Sequence, residues 1–194
     1  MTLPSSRRPS DELPAGLAAR FLALHRRGQP LLLPNPWDAG SARVLASLGF
    51  SALATTSSGF AATLGLPDGS VTRDQAIAHA AVIAGATDLP VSADLENGYG
   101  DSPQEVADTV TAAIDAGLAG CSIEDFTGRD ADPIYDRSRA AERVASAAEA
   151  AHRGPRTLVL TARAEARELR TAGTYGFRRA ADVGRQAARA AFSS

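Results

Sequence analysis

The sequence predicts a parallel α/β fold, a sheet covered by helices, and three observations predict it. Short apolar runs alternate with longer segments of helical periodicity. The apolar runs are nearly continuous, as in strands buried on both faces. Polar residues collect where those runs end, the place where parallel α/β folds bind ligands. An open doubly wound sheet and a β/α barrel both satisfy this pattern.

The elements follow in order. Residues 11–27 read as a helix stopped by Gly28, and residues 30–35 (PLLLPN) as a buried strand. Asp38 caps a helix over 39–48, and 51–57 (SALATTS) is a second strand. Residues 58–71 are expected to be a long glycine-containing loop. Thr72 and Gln75 form a capping box for a helix reaching about residue 86. Residues 89–95 are a third strand. Ser102, Pro103 and Glu105 start a helix that ends near Ala116. Residues 119–124 are a fourth strand, 137–152 a helix, and 157–162 a fifth strand. Residues 164–172 and 180–192 look helical. The chain is expected to form a single domain over 1–194, with a flexible stretch at 1–16 and a helical C-terminal segment at 164–194. A complete eight-stranded barrel typically takes ~250 residues, and this chain has 194.

Composition narrows the chemistry. The net charge is −2 with no basic block, so no nucleic-acid partner is expected. No apolar run approaches a membrane span, and the N-terminus lacks the apolar stretch of a secretory signal, so a cytoplasmic protein is expected. All 20 basic residues are arginine, which excludes Schiff-base and P-loop lysines. A single cysteine, Cys121, and three histidines argue against cysteine or histidine metal sites and a histidine triad. Carboxylates, arginines and hydroxyls are left to carry any reaction.

These residues gather at strand ends. The third strand runs into Asp94-Leu95-Glu96-Asn97-Gly98-Tyr99-Gly100, the fourth into Glu124-Asp125, and the fifth into Arg163. Asp94 and Glu96 are two apart and share a side of a strand. Three converging carboxylates call for a positive partner, and magnesium suits an oxygen-only set because it keeps several waters. Such an ion could stabilise an enolate. Arg163 would bind a carboxylate or phosphonate by a forked hydrogen bond. Asp68, in the preceding loop, could reach the same rim. The competing explanation is an internal ion-pair network with Arg163 paired to Glu124.

The segments Asn35-Pro36-Trp37-Asp38-Ala39, Leu64-Gly65-Leu66-Pro67-Asp68, Ala93 to Gly100, Ile123-Glu124-Asp125 and Thr161-Ala162-Arg163 occur in that order. In them the chain resembles the isocitrate lyase/phosphoenolpyruvate mutase superfamily over residues 17–166. The resemblance implies a β/α barrel of the TIM type, here incomplete, with about five strand–helix units and C-terminal helices. It implies a magnesium-dependent lyase (manganese as the alternative ion) that cleaves a C–C bond next to a carboxylate in a small 2-oxo or 2-hydroxy acid, through an enolate. Phosphonate chemistry and an inactive shortened member are the alternatives. By motif, Asp94 resembles the principal metal-site aspartate, with Glu96 and Glu124 as the second and third acids. Arg163 resembles the arginine that binds the substrate carboxylate, and Asp68 the aspartate near the reacting centre. Thr55, Thr56 and Ser57 fall where backbone N–H groups hold that carboxylate, and Tyr99 belongs to the same substrate-binding set. A homo-oligomer is expected.

Two departures stand out. Isocitrate and methylisocitrate lyases carry a K-K-C-G-H loop after the fourth strand, where this chain reads Phe126-Thr127-Gly128-Arg129-Asp130. That argues against isocitrate lyase activity. The lysine and asparagine usual in phosphoenolpyruvate mutases are also missing there. Moreover, Ala166 to Phe177 resembles the far C-terminal segment of longer members, which suggests an internal deletion after the fifth strand.

Overall fold

The computed structural model describes residues 16–129 and 131–165. Helices α1 (Leu17–Leu24) and α2 (Ala39–Ser47) precede strand β1 (Leu53–Ala54). Helices α3 (Ser57–Thr63) and α4 (Arg73–Ala84) follow, then β2 (Val91–Asp94), α5 (Pro103–Asp115), β3 (Gly120–Glu124), α6 (Arg137–His152) and β4 (Val159–Arg163). The four strands form one parallel sheet in the order β1-β2-β3-β4. Sequential parallel strands, each returning through a helix, are the repeating unit of a β/α barrel.

The helix starts are where local chemistry places them. Asp38, Thr72 and Ser102 each accept a hydrogen bond from the N3 backbone N–H, and Ser41, Gln75 and Glu105 answer in full capping boxes. Asp136 caps α6 through Arg139 N–H. Two expectations fail. Residues 30–35 form no regular strand. Pro30 and Pro34 remove two backbone donors, and what remains is a bond from Ala54 N–H to the Pro34 carbonyl at 3.1 Å. Residues 58–71 are not one loop, because Thr56 caps α3 through Gly59 N–H. The expected helices over 164–172 and 180–192, and the stretch 1–15, lie outside the described residues.

The core lies between the sheet and α4, α5 and α6. It is built on Leu53, Ile83, Val91, Leu95, Val106, Val110, Ile123 and Leu158, with alanines filling the helix faces. Buried Ala147, Ala150 and Ala151 on α6, with Ala107 and Ala113 on α5, let backbones approach closely. A second cluster closes the sheet at its amino-terminal end, where Phe21 of α1 packs with Ala52 and Ala119. Gly120 makes that possible, since a Cβ there would stand 2.6 Å from Phe21 Cε1. The opposite, carboxyl end is left for polar residues.

Candidate functional site

Strand register builds the site. Asp94 pairs with Ser122, and Glu124, two residues further along β3, pairs with Arg163 of β4. The ends of β2, β3 and β4 therefore bring two acids and one arginine to one rim. Arg163 stands among the acids. Its Nη1 lies 3.2 Å from Asp94 Oδ1, and its Nη2 lies 3.0 Å from Glu124 Oε2 and 3.1 Å from Glu165 Oε1. One guanidinium thus faces three carboxylates. Glu165, which the sequence reading did not single out, is the third. Its backbone N–H donates to Asp125 Oδ1 at 2.8 Å, so Asp125 ties the end of β3 to the chain beyond β4.

The other carboxylate oxygen of Asp94 is held by the start of α3. Ser57 donates to Asp94 Oδ2 from its N–H at 3.1 Å and from its Oγ at 3.0 Å. Asp94 N–H in turn donates to Thr55 Oγ1 at 2.9 Å. Thr56 serves as the α3 cap, and its hydroxyl lies 3.2 Å from Ser58 Oγ. Thr55, Thr56 and Ser57 therefore do border the rim. Two of them hold Asp94 in place, and the short helix that makes this possible was not foreseen. The missed signal was Thr56 followed three residues later by Gly59, which packs under Trp37. A Cβ on Gly59 would stand 2.6 Å from Trp37 Nε1.

Beyond β2 the chain turns sharply. Glu96 (φ 48°) and Tyr99 (φ 59°) take the left-handed conformation that non-glycine residues seldom adopt. Glu96 still returns one ladder bond, its carbonyl accepting Glu124 N–H at 2.8 Å. Its side chain is less well served, since Glu96 Oε1 and Tyr99 Oη are buried without a hydrogen-bond partner. Burial, then the charges of Asp94 and Asp68, push the Glu96 carboxyl up to about 7. Asp68 sits in an exposed loop, accepting Gly69 N–H at 3.1 Å, and its charge reaches Glu96. Glu124 also rises to about 7. Burial drives it, Arg163 opposes it, and the neighbouring acids add to it. The Tyr99 hydroxyl is pushed well above its ordinary value by burial and by the carboxylates around it.

The glycines of Asn97-Gly98-Tyr99-Gly100 serve packing on α5 rather than an open approach for a ligand. A Cβ on Gly100 would stand 2.4 Å from Glu105 Cβ. The loop is also gripped by Arg143 of α6, another residue the sequence reading missed. A lone arginine in an alanine-rich helix carries no signal of what it reaches.

The chemistry of the donor set fits a hard divalent cation. The acids offer only oxygens, Glu96 Oε1 is orphaned in the interior, and the carboxylates raise one another's pKa. Among the described residues, no three His, Cys, Asp or Glu side chains already converge as a cage for an ion. As they stand, Asp94, Glu124 and Glu165 surround Arg163, an arrangement that includes the Arg163–Glu124 pairing of the competing explanation.

The chain matches the phosphoenolpyruvate phosphomutase family model over residues 21–191. It is 40% identical over 125 residues to the uncharacterized protein Rv1998c of Mycobacterium tuberculosis, covering 64% of this chain and 46% of that protein. It is 37% identical over 110 residues to the 2-methylisocitrate lyase of Halalkalibacterium halodurans, covering 56% and 36%. Among solved structures, a proposed lyase/mutase from Burkholderia cenocepacia J2315 superposes with a TM-score of 0.75 at 52% identity, over 77% of this chain and 54% of the other. A 2,3-dimethylmalate lyase superposes with a TM-score of 0.74 at 33% identity, over 92% and 62%. The chain spans about half the length, or less, of these curated relatives. With the parallel β/α architecture, the matching motifs and these relatives together, the chain belongs to the isocitrate lyase/phosphoenolpyruvate mutase superfamily.

Proposed function

We propose that the protein is a magnesium-dependent lyase that cleaves a C–C bond next to a carboxylate in a small 2-oxo or 2-hydroxy acid. The observation that carries this reading is the rim itself, where Asp94, Glu124 and Arg163 meet at strand ends beside the strained Glu96 turn. Asp94, Glu96 and Glu124 would hold the ion, and an ion so held supplies Lewis acidity towards an oxygen that gains negative charge. Arg163 binds and orients a substrate carboxylate by a forked hydrogen bond, which requires it to exchange one of its present carboxylate partners. Ser57 keeps Asp94 from rotating, and Thr55 fixes the Asp94 main chain. Asp68, whose charge reaches Glu96, would be the base that takes a proton at the reacting centre. For a 2-hydroxy diacid the hydroxyl proton would pass to the base, the C2–C3 bond would break, C2 would become the carbonyl of a 2-oxo acid, and the electron pair would pass to C3, beside the second carboxylate, as an enolate that a proton then quenches.

Phosphonate chemistry is the second reading, favoured by the name of the matching family model. The curated relatives named as 2-methylisocitrate lyase and 2,3-dimethylmalate lyase favour C–C cleavage. Turnover assays with oxaloacetate, 2,3-dimethylmalate and phosphonopyruvate, each with magnesium, decide between the two. Cleavage of either of the first two supports the lyase. Turnover of phosphonopyruvate alone replaces it with the second reading, and no turnover of any of them, with no magnesium-dependent binding of oxalate, sinks both.

A further inference from the structure

We propose that Arg143 is the positioning residue of the rim, fixing the main chain of residues 97–101 and with it the turn that directs Glu96 and Tyr99. Arg143 is 1% exposed, on a face of α6 otherwise buried through alanines. Among the described residues it makes no ion pair. Its guanidinium donates instead to three carbonyls of one loop. Nη1 reaches Gly100 O at 2.6 Å and Asp101 O at 2.5 Å, and Nη2 reaches Asn97 O. The planar group also lies 4.1 Å from the centre of the Tyr135 ring.

The same loop has further donors. Arg129 donates to both Asp101 carboxylate oxygens at 3.0 Å, and the Tyr135 hydroxyl donates to Asp101 Oδ1. Thr109 Oγ1 donates to Gly98 O at 2.8 Å, and Arg139 to Asp101 O at 3.2 Å. Loop carbonyls have no ladder to satisfy them, and each one buried without a partner is costly. A buried arginine is costly too unless its donors are used. The two demands cancel here, and a rigid planar fork with five N–H donors serves three carbonyls at once while stacking on the Tyr135 ring. The grip begins at Asn97, next to Glu96. It spans Tyr99 and abuts Glu96, so it encloses one of the two left-handed residues and borders the other, a conformation that persists only where its surroundings over-determine it. Arg143 acts through the main chain and does not touch the acids. Its consequence for catalysis rests on the proposed function, whereas its hold on the loop does not.

Hydrogen exchange by mass spectrometry on the full chain tests this with Arg143→Lys, Arg143→Gln and Tyr135→Phe, alongside melts with magnesium plus oxalate. The expected result is at least tenfold faster exchange in peptides covering 96–101 for both Arg143 variants. Peptides covering β1 and α4 should be unchanged. Tyr135→Phe, which loses only the hydroxyl bond to Asp101, should give a smaller acceleration confined to the same loop, and Arg143→Lys, which keeps the buried charge, carries the test should Arg143→Gln fail to melt cooperatively. Unchanged loop exchange in the folded variants overturns the proposal. Uniform acceleration across all peptides also overturns it, because it marks Arg143 as ordinary core. A wild-type melt that ignores magnesium and oxalate counts against the proposed function while the loop result still decides the role of Arg143.

Discussion

Arg143 and Arg163 show two uses of the same side chain. Arg143 is buried, pairs with no carboxylate among the described residues and satisfies three carbonyls. Arg163 is 36% exposed in its side chain and faces three carboxylates, with Glu96 close by and still lacking a partner for one oxygen. The first arrangement is closed, with donors and acceptors matched. The second is open, with more negative charge than one guanidinium can neutralise. A closed polar network specifies a conformation, whereas an unbalanced one leaves charge that the proposed cation would offset.

Breaking the closed network should have the largest effect on stability. Arg143→Met takes the guanidinium from the Asn97 and Gly100 carbonyls and leaves Asp101 O with Arg139 alone, and it should cost about 3 kcal/mol or more in urea unfolding. A loss below about 1 kcal/mol would mean that water replaces the guanidinium easily and that the network is not closed.

The open network should show itself through pH. Glu96 and Glu124 have folded pKa values raised to about 7 from an ordinary 4.5. The folded protein therefore binds protons that the unfolded chain has released between these values. The stability these groups contribute is fully present below about 4.5 and is lost as pH rises through about 7. In a chelator, the melting temperature should fall from pH 5 to pH 8. Glu96→Gln, which removes one of the two charges, should flatten the fall and raise stability at pH 8 by on the order of 1–2 kcal/mol. An identical slope in the variant would contradict the assignment.

Arg163→Gln should change stability less, by about 1 kcal/mol, because Arg163 and Glu165 are themselves about one-third exposed, although Asp94 and Glu124 are more buried. Activity should respond far more strongly, with kcat/KM falling by ~100-fold or more. Smallest of all, Asp115→Asn removes an exposed ion pair to Arg156 and should move stability by less than about 0.5 kcal/mol.

These contrasts also explain what the sequence revealed. Capping residues report helix starts locally, so α2, α4 and α5 were readable from Asp38, Thr72 and Ser102. Strands β2, β3 and β4 were readable from continuous apolar runs, and the acids and Arg163 from their place at the ends of those runs. The segment around Leu31 to Leu33 misled because prolines break a strand that hydrophobicity alone suggests. Helix α3 was hidden because glycine and serine suggest a loop, while the Trp37 contact that favours a helix there comes from a residue 22 positions before Gly59 in the sequence. Arg143, Glu165 and the left-handed turn were also hidden, since each depends on tertiary partners that have no local pattern.

The most direct test of the central claim, that the rim binds a divalent cation together with a carboxylate, is a thermal melt at pH 8 with and without magnesium plus oxalate. Wild-type protein should melt at a clearly higher temperature with both present. Ligand at 100 times its dissociation constant adds ~2.7 kcal/mol, and Asp94→Asn should abolish the gain. A cooperative wild-type melt that magnesium and oxalate leave unmoved would contradict the account.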